Sequence, residues 1–268
     1  MLHIALALSL SAQASGGEVL PVYRDLLTVP SIDESVYARQ CGYGAGPLEL
    51  FRPADLPTRR AFVNEIDAAH VVDRATQALA RAATALPGAR VTVCLFPGEL
   101  SRGLPYLSGV GGVSLGGGAI KLILHPGPKG LHRVPYTVAH EYHHEVERNR
   151  GPAGLGPIDI MIREGKADYF AISLYPELRP PHTQALAPAQ LAQALRDLEA
   201  YDRRQSPASV FRSEFMIGKD PRVLPWPGYR LGYEMVESYF RGRKTSPADV
   251  VTTPAHVIYE QFTRHRRR

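Results

Sequence analysis

Three histidines and three glutamates occur within twelve residues, in the stretch YTVAHEYHHEVE from Tyr136 to Glu147. The part from His140 to His144 satisfies the pattern His-Glu-x-x-His. On a helix, residues four positions apart lie about 40° apart around the axis, so His140 and His144 project from one face and can share one metal ion. Glu141 lies at the edge of that face, where it can take a proton from a metal-activated water without binding the metal. These residues therefore predict zinc-promoted hydrolysis.

A hydrolytic zinc site usually has three protein ligands and one open position. The stretch REGKADYFA supplies a candidate third ligand, because Glu164 follows His144 by twenty residues on the next predicted helix. Asp168 lies four residues further, on the same helix face. If that helix returns antiparallel to the first, Glu164 can bind the metal and Asp168 can accept the free N–H of a ligand histidine. We predict one Zn2+ per chain, held by His140, His144 and Glu164.

His143 raises an alternative, since His140 and His143 could also chelate an ion. That pairing would leave Glu141 without a role. We therefore predict that His143 contacts the metal ligands without binding the metal, or lines a cleft. For Glu164 and Asp168 the alternative is a solvated acidic helix face, but their spacing from the histidine pair favours the metal site. The other histidines are scattered, and each is predicted to have an ordinary surface or hydrogen-bonded role: His3, His70, His125, His132, His182, His256 and His265.

Periodicity places these residues on elements. A long helix is predicted over 58–86, and strands are predicted over 89–97 and 119–126. The segment between the strands, SGVGGVSLGGG, lacks the spacing of a phosphate-binding loop and is predicted to be a flexible turn that could act as a lid. Five later helices are predicted over about 135–148, 158–174, 188–204, 228–240 and 254–262, with Ser246 or Thr253 able to cap the last.

Composition limits the function classes. The net charge of +5 comes mostly from the four arginines between Arg264 and Arg268, and a solvated tail explains them better than a phosphate-binding surface. We therefore expect no nucleic-acid partner. No run of about 18 apolar residues occurs, so no integral membrane segment is expected in the mature chain. Cys41 and Cys94 are too few for a disulfide framework, and whether they pair is left open.

The N-terminal stretch IALALSLSAQA allows two interpretations. Its apolar run followed by Ala12-Gln13-Ala14 is typical of a signal peptide over residues 1–14, although no Lys or Arg precedes the run. The alternation of large and small residues from Ile4 to Leu10 is instead that of a β-strand with one buried face. Export to the periplasm or medium is slightly favoured over a cytoplasmic location.

His-Glu-x-x-His followed by Glu-x-x-x-Asp on the next helix resembles the gluzincin metallopeptidases, in which two histidines and one glutamate hold zinc. The stretch over about 91–240 also resembles an uncharacterised bacterial family described only as predicted zinc-dependent proteases. That resemblance rests on four segments: SGVGGVSLGGGAIKLILHP, TVAHEYHHEVER, REGKADYF and PGYRLGYEMVESYF. It implies zinc on His140, His144 and Glu164, with Glu141 as the general base.

The gluzincin resemblance implies two further features. Gluzincins commonly have a tyrosine or histidine that stabilises the oxyanion of the tetrahedral intermediate, and Tyr229 and Tyr233 are the candidates for this catalytic role. Packing of these tyrosines into the core is the alternative. Arg230 is a candidate for binding a carboxylate. By the same analogy, the strand over 119–125 would offer its edge to an extended peptide through main-chain hydrogen bonds.

Strands early and helices late in the chain predict an α+β fold. We expect a small, mostly antiparallel sheet packed on a helical zincin-like metal-binding core, followed by a helical C-terminal part. The expected segments are the signal peptide at 1–14, an N-terminal helical region at 15–88 and a zinc-dependent protease-like domain at 89–268. The expected function is a zinc metallopeptidase acting on peptides or proteins. The alternative is a non-catalytic, zinc-stabilised binding or regulatory module, which would have no use for a non-ligand glutamate at Glu141.

Overall fold

The computed structural model describes residues 17–42, 55–88, 90–98, 109–125, 130–151, 154–204, 206–218 and 225–266. The predicted signal peptide at 1–14 lies outside the described residues. The chain forms two compact units, Met1–Val146 and Glu147–Arg268. No described helix is both long and apolar enough to cross a membrane. The α+β fold class is confirmed, with one four-stranded sheet in the described chain and a helical C-terminal part.

The sheet belongs to the first unit. Its strands are β1 (Gly17–Leu20), β2 (Val91–Pro97), β3 (Val110–Gly116) and β4 (Ala119–Leu124), in the spatial order β1-β2-β4-β3. β2 pairs in parallel with both β1 and β4, while β3 pairs antiparallel with β4. The prediction of a mostly antiparallel sheet is therefore wrong, since two of these three strand pairs are parallel.

The glycine-rich segment explains this difference. It was predicted to be a flexible turn, but most of it forms β3, and only Gly117 and Gly118 make the turn into β4. Both turn residues have positive φ, +64° and +81°, which favours glycine and suits a tight hairpin. Because β3 comes between β2 and β4 in the sequence, the chain reverses its direction twice on the way from β2 to β4. β4 therefore runs in the same direction as β2.

β4 also has a different place from the one predicted. All six of its residues are buried, and it lies between β2 and β3 with both edges paired. A strand with both edges paired has no backbone groups left to add a peptide strand, so the predicted peptide-binding edge on 119–125 is wrong. Within the described sheet, the edge on this side belongs to β3.

Helices of the first unit pack against this sheet. The short α1 (Ala38–Cys41) carries Cys41, which forms a disulfide with Cys94 of β2 across a Cα–Cα distance of 5.6 Å. The long helix predicted over 58–86 is two helices, α2 (Leu56–Ala68) and α3 (Val71–Ala85). They are separated at His70, whose left-handed φ of 51° interrupts the helical path. The helix with the histidine pair is α4 (Val134–Arg150), of which residues 147–150 belong to the second unit.

The second unit is helical. Its remaining helices are α5 (Pro157–Leu174), α6 (Pro188–Arg203), α7 (Ala208–Phe211), a π-helical turn (Arg212–Met216), α8 (Pro227–Phe240), α9 (Pro247–Thr252) and α10 (Ala255–Arg266). The five predicted helices are thus present, with ends shifted by a few residues. Ser246 caps a helix, but it caps α9, which was not predicted, by accepting a hydrogen bond from the Asp249 amide.

α5 and α8 cross at two glycines. A Cβ on Gly165 would lie 2.3 Å from the Gly232 carbonyl oxygen, and a Cβ on Gly232 would lie 2.3 Å from the Met161 carbonyl oxygen. Only glycine permits backbones to approach so closely. This contact fixes α5 against α8 beside Glu164, which precedes Gly165 in the chain.

Candidate metal centre and its surroundings

His140 and His144 of α4 converge on one point. Their Nε2 atoms are 3.1 Å apart, and their rings are nearly perpendicular with centroids separated by 4.8 Å. His140 retains only 8% of its accessible surface, whereas His144 is only partly buried. Two imidazole nitrogens at this separation, one helical turn apart, can bind one metal ion.

Glu141 is held by the sheet. Its Oε2 accepts a hydrogen bond from the Ser114 backbone N–H of β3 at 2.8 Å. The neighbouring Gly112 leaves the room that this contact needs, since a Cβ there would lie 2.6 Å from Glu141 Oε1. Glu141 is thus a buried carboxylate with a defined orientation, one residue after a candidate metal ligand.

Glu145 was missed by the sequence reasoning. It is fully buried one turn after Glu141, and its carboxylate accepts three hydrogen bonds from the β3–β4 hairpin. The donors are Ser114 Oγ at 2.6 Å, the Gly116 amide at 2.7 Å and the Gly118 amide at 3.1 Å. The available signal was its position four residues after Glu141, which puts both carboxylates on one side of α4.

In the second unit, Glu164 and Asp168 both lie on α5 with their side chains buried. Arg212, on the π-helical turn, donates from Nη1 to Glu164 Oε1 at 3.3 Å. Asp168 is 3.3 Å from His182 Nε2. His182 had been assigned an ordinary surface or hydrogen-bonded role, and the structure gives it a buried hydrogen bond to a predicted site residue.

The two candidate tyrosines of α8 have different surroundings. Tyr229 is partly buried, and its ring centroid lies 5.4 Å from that of His182 and 5.3 Å from that of Trp226. Tyr233 is buried and donates its hydroxyl to Glu237 at 3.1 Å. Burial and the nearby Glu237 carboxylate raise the pKa of Tyr233 well above its usual value, so its hydroxyl stays protonated.

Arg230 has a different role from the predicted one. Its guanidinium donates to the backbone carbonyls of Gln184 and Ala185, both at 3.0 Å. It therefore ties the chain before α6 to α8. These bonds do not support the predicted carboxylate-binding role.

Comparison with known proteins identifies the family. The family model described as "Predicted Zn-dependent protease (DUF2268)" matches residues 71–260, well over half of the chain. The chain belongs to this family. No curated protein and no solved structure matches it. The resemblance to a family of predicted zinc-dependent proteases is therefore confirmed, while the gluzincin assignment stays a prediction.

In this member of the family, His143, His144 and Glu147 lie close together along α4 and could hold a metal ion. However, Glu147 already lies 3.0 Å from the Nζ of Lys166, a lysine that is 1% exposed. A buried carboxylate that balances a buried ammonium is a poor metal ligand, because binding the metal would leave the lysine charge uncompensated. Glu164, on α5, is therefore the better candidate for a carboxylate ligand.

Proposed function

We propose that the chain is a zinc-dependent metallopeptidase whose metal is held by His140, His144 and Glu164, one ion per chain. The convergence of the two histidine Nε2 atoms at 3.1 Å is the observation that carries the proposal. Two imidazoles and one carboxylate are a usual ligand set for catalytic zinc, which keeps its fourth position for water or substrate. The family match supports the same metal.

The donor set fits zinc on its chemistry. Zinc prefers nitrogen, sulfur and carboxylate oxygen ligands, and neither described cysteine competes, since both are in the disulfide. When bound, zinc supplies a Lewis acid that polarises the substrate carbonyl and lowers the pKa of a water molecule to about 7. The side chains around the metal would transfer the protons and stabilise the developing charge.

Glu141 is the proposed general base. It is not one of the proposed ligands, and its Oε2 is fixed by the Ser114 amide, so the carboxylate keeps one orientation while it accepts the proton of the attacking water. It then delivers that proton to the leaving amine. A fixed base avoids the reorganisation that a mobile side chain would need in the transition state.

For the oxyanion, Tyr229 and Tyr233 are both proposed donors. Tyr229 lies beside His182, which contacts Asp168 one turn after the proposed ligand Glu164. Tyr233 donates its hydroxyl to Glu237, and this bond would have to open before Tyr233 could act. We also propose that Asp168, which lies beside His182, accepts the free N–H of a ligand histidine when the metal is bound.

The proposed substrate is a peptide or protein segment in extended form. β3 is the edge strand on this side of the described sheet, and its amides at Ser114 and Gly116 already donate to Glu141 and Glu145. A peptide would therefore pair with the part of β3 that precedes Ser114, next to the general base. Main-chain hydrogen bonds at a sheet edge give affinity with little dependence on side chains.

We also propose that the protein is exported. The disulfide between Cys41 and Cys94 supports this location, because disulfides persist in oxidising compartments and are rare in the cytosol. Fractionation of the producing cells, with detection of the mature N-terminus, tests it.

The deciding experiment compares the wild type with Glu141→Gln. We expect both to bind about one zinc per chain, while the variant loses cleavage of a denatured-protein substrate by about 10²- to 10⁴-fold, the usual contribution of a general base. Zinc in both proteins with no cleavage by either, across a broad peptide library, would favour the non-catalytic binding module. Absence of zinc from both would contradict the proposed site.

A further inference from the structure

The glycine-rich hairpin contacts both buried glutamates of α4 through one residue. Ser114 donates its backbone N–H to Glu141 at 2.8 Å and its hydroxyl to Glu145 at 2.6 Å. Glu145 also receives the amides of Gly116 and Gly118. The serine is therefore the link between a carboxylate that anchors the hairpin and the carboxylate proposed to act as the base.

The hydrogen bonds from the hairpin to the Glu145 carboxylate are strong ones. A carboxylate that accepts several N–H and O–H bonds makes charge-assisted contacts, roughly twice as strong as those between neutral groups. Gly116 and Gly118 have φ of +83° and +81°, a conformation that turns their amides toward one anion and that residues with a Cβ rarely adopt. The hairpin is thus shaped around Glu145.

The same hairpin leaves Glu141 no room to move toward the sheet. A Cβ at Gly112 would lie 2.6 Å from Glu141 Oε1, 2.7 Å from Glu141 Cγ and 2.7 Å from Thr137 Cγ2. The φ of Gly112 is not in the positive range, so its backbone conformation alone does not require glycine. The requirement at Gly112 comes from the close approach of β3 to α4.

We propose that Glu145 and Ser114 are positioning residues for Glu141. Glu145 fixes the hairpin, and the hairpin fixes the orientation of Glu141 through the Ser114 N–H. This inference rests on the proposed function for its effect on catalysis, but the positioning contacts themselves do not involve the metal. It also assigns a role to the glycine-rich segment: a rigid support for the general base, in place of the predicted flexible lid.

The first test is hydrogen exchange of backbone amides in the metal-free protein, comparing the wild type with Glu145→Gln. The glutamine keeps the shape of the side chain but replaces one acceptor oxygen by an NH2 group. We expect faster exchange at Gly116 and Gly118 and, through the loosened hairpin, also at Ser114. The amide of Ala78, a buried residue in the middle of α3, serves as the internal control and should be unchanged. Unchanged exchange at Ser114 would overturn the coupling between Glu145 and Glu141.

The second test is kinetic and uses a matched pair of glycine variants. Gly112→Ala places a methyl group against Glu141, whereas Gly117→Ala, in the same hairpin, meets nothing within 4 Å. We expect Gly112→Ala and Glu145→Gln to lower kcat by about 10- to 100-fold with KM and zinc content nearly unchanged, as for a small displacement of a catalytic group. Gly117→Ala should lose some stability, because its φ is +64°, and keep its kcat.

The outcomes separate the inference from the proposed function. Equal kcat in Gly112→Ala and the wild type would contradict the positioning role, as would equal loss in Gly112→Ala and Gly117→Ala. If the wild type cleaves nothing, the proposed function fails, while the exchange at Ser114 still decides whether Glu145 holds Glu141 in place.

Discussion

At the scale of single residues, Glu164 and Glu147 are the two carboxylates that compete for the role of third ligand. Glu164 has a half-exposed arginine beside it, and a partner 45% exposed to water contributes little to stability. Glu147 is paired with Lys166, which also donates to the Val251 carbonyl oxygen. The two carboxylates should therefore respond differently to the same substitution.

We predict that Glu164→Gln weakens zinc binding by about 10- to 100-fold or more. Loss of a residue that only supports a ligand already costs about this much, and Glu164 is proposed to bind the metal directly. Glu147→Gln should keep its zinc but lose about 3–5 kcal/mol of unfolding free energy, because a buried lysine is left without its counter-charge. Competition with a chelator gives the affinity, and urea unfolding gives the stability. Zinc loss confined to Glu147→Gln would assign the metal to the other group, with His143.

At the scale of elements, the crossing of α5 and α8 sets where Glu164 and the candidate tyrosines lie. Gly165→Ala would normally stabilise a helix by about 1 kcal/mol. Here the methyl group would meet the Gly232 carbonyl at 2.3 Å, so we predict a net destabilisation of about 1–3 kcal/mol. Ser238→Ala, at an exposed position of α8, is the control and should be neutral. Thermal unfolding of both variants measures the difference, and a Gly165→Ala protein as stable as the control contradicts this account of the crossing.

At the scale of the whole molecule, the disulfide joins residues 53 positions apart in the sequence. Closing a loop of this length restricts the unfolded chain, which typically stabilises a protein by about 2–4 kcal/mol. We predict that replacing Cys41 and Cys94 together by serine lowers the unfolding free energy by that amount. Denaturant unfolding of the double variant, beside the wild type with and without reductant, measures it. If reductant leaves the wild-type midpoint unchanged, the disulfide has no stabilising role.

Much of the candidate site could be predicted because it is local in sequence. The spacing of His140 and His144 fixes their relative direction once the segment is helical, since the helix repeats every 3.6 residues. Helical periodicity placed α4, α5, α6, α8 and α10 to within a few residues of their observed ends. The family resemblance rested on motifs carried by α4, α5 and α8.

The tertiary structure decided what depends on distant residues. Ser114 meets Glu141 and Glu145 across 27 and 31 residues, and no periodic signal connects them. Glycines at 109–118 favour a turn when read locally, yet here they permit a strand to approach a helix, so β3, the parallel pairing of β2 with β4 and the role of Glu145 all escaped prediction. The sequence by itself determined which side chains could do the chemistry, because helix geometry is local. Only the folded chain decided what holds them in place, because hydrogen bonds and close packing join whichever segments folding brings together.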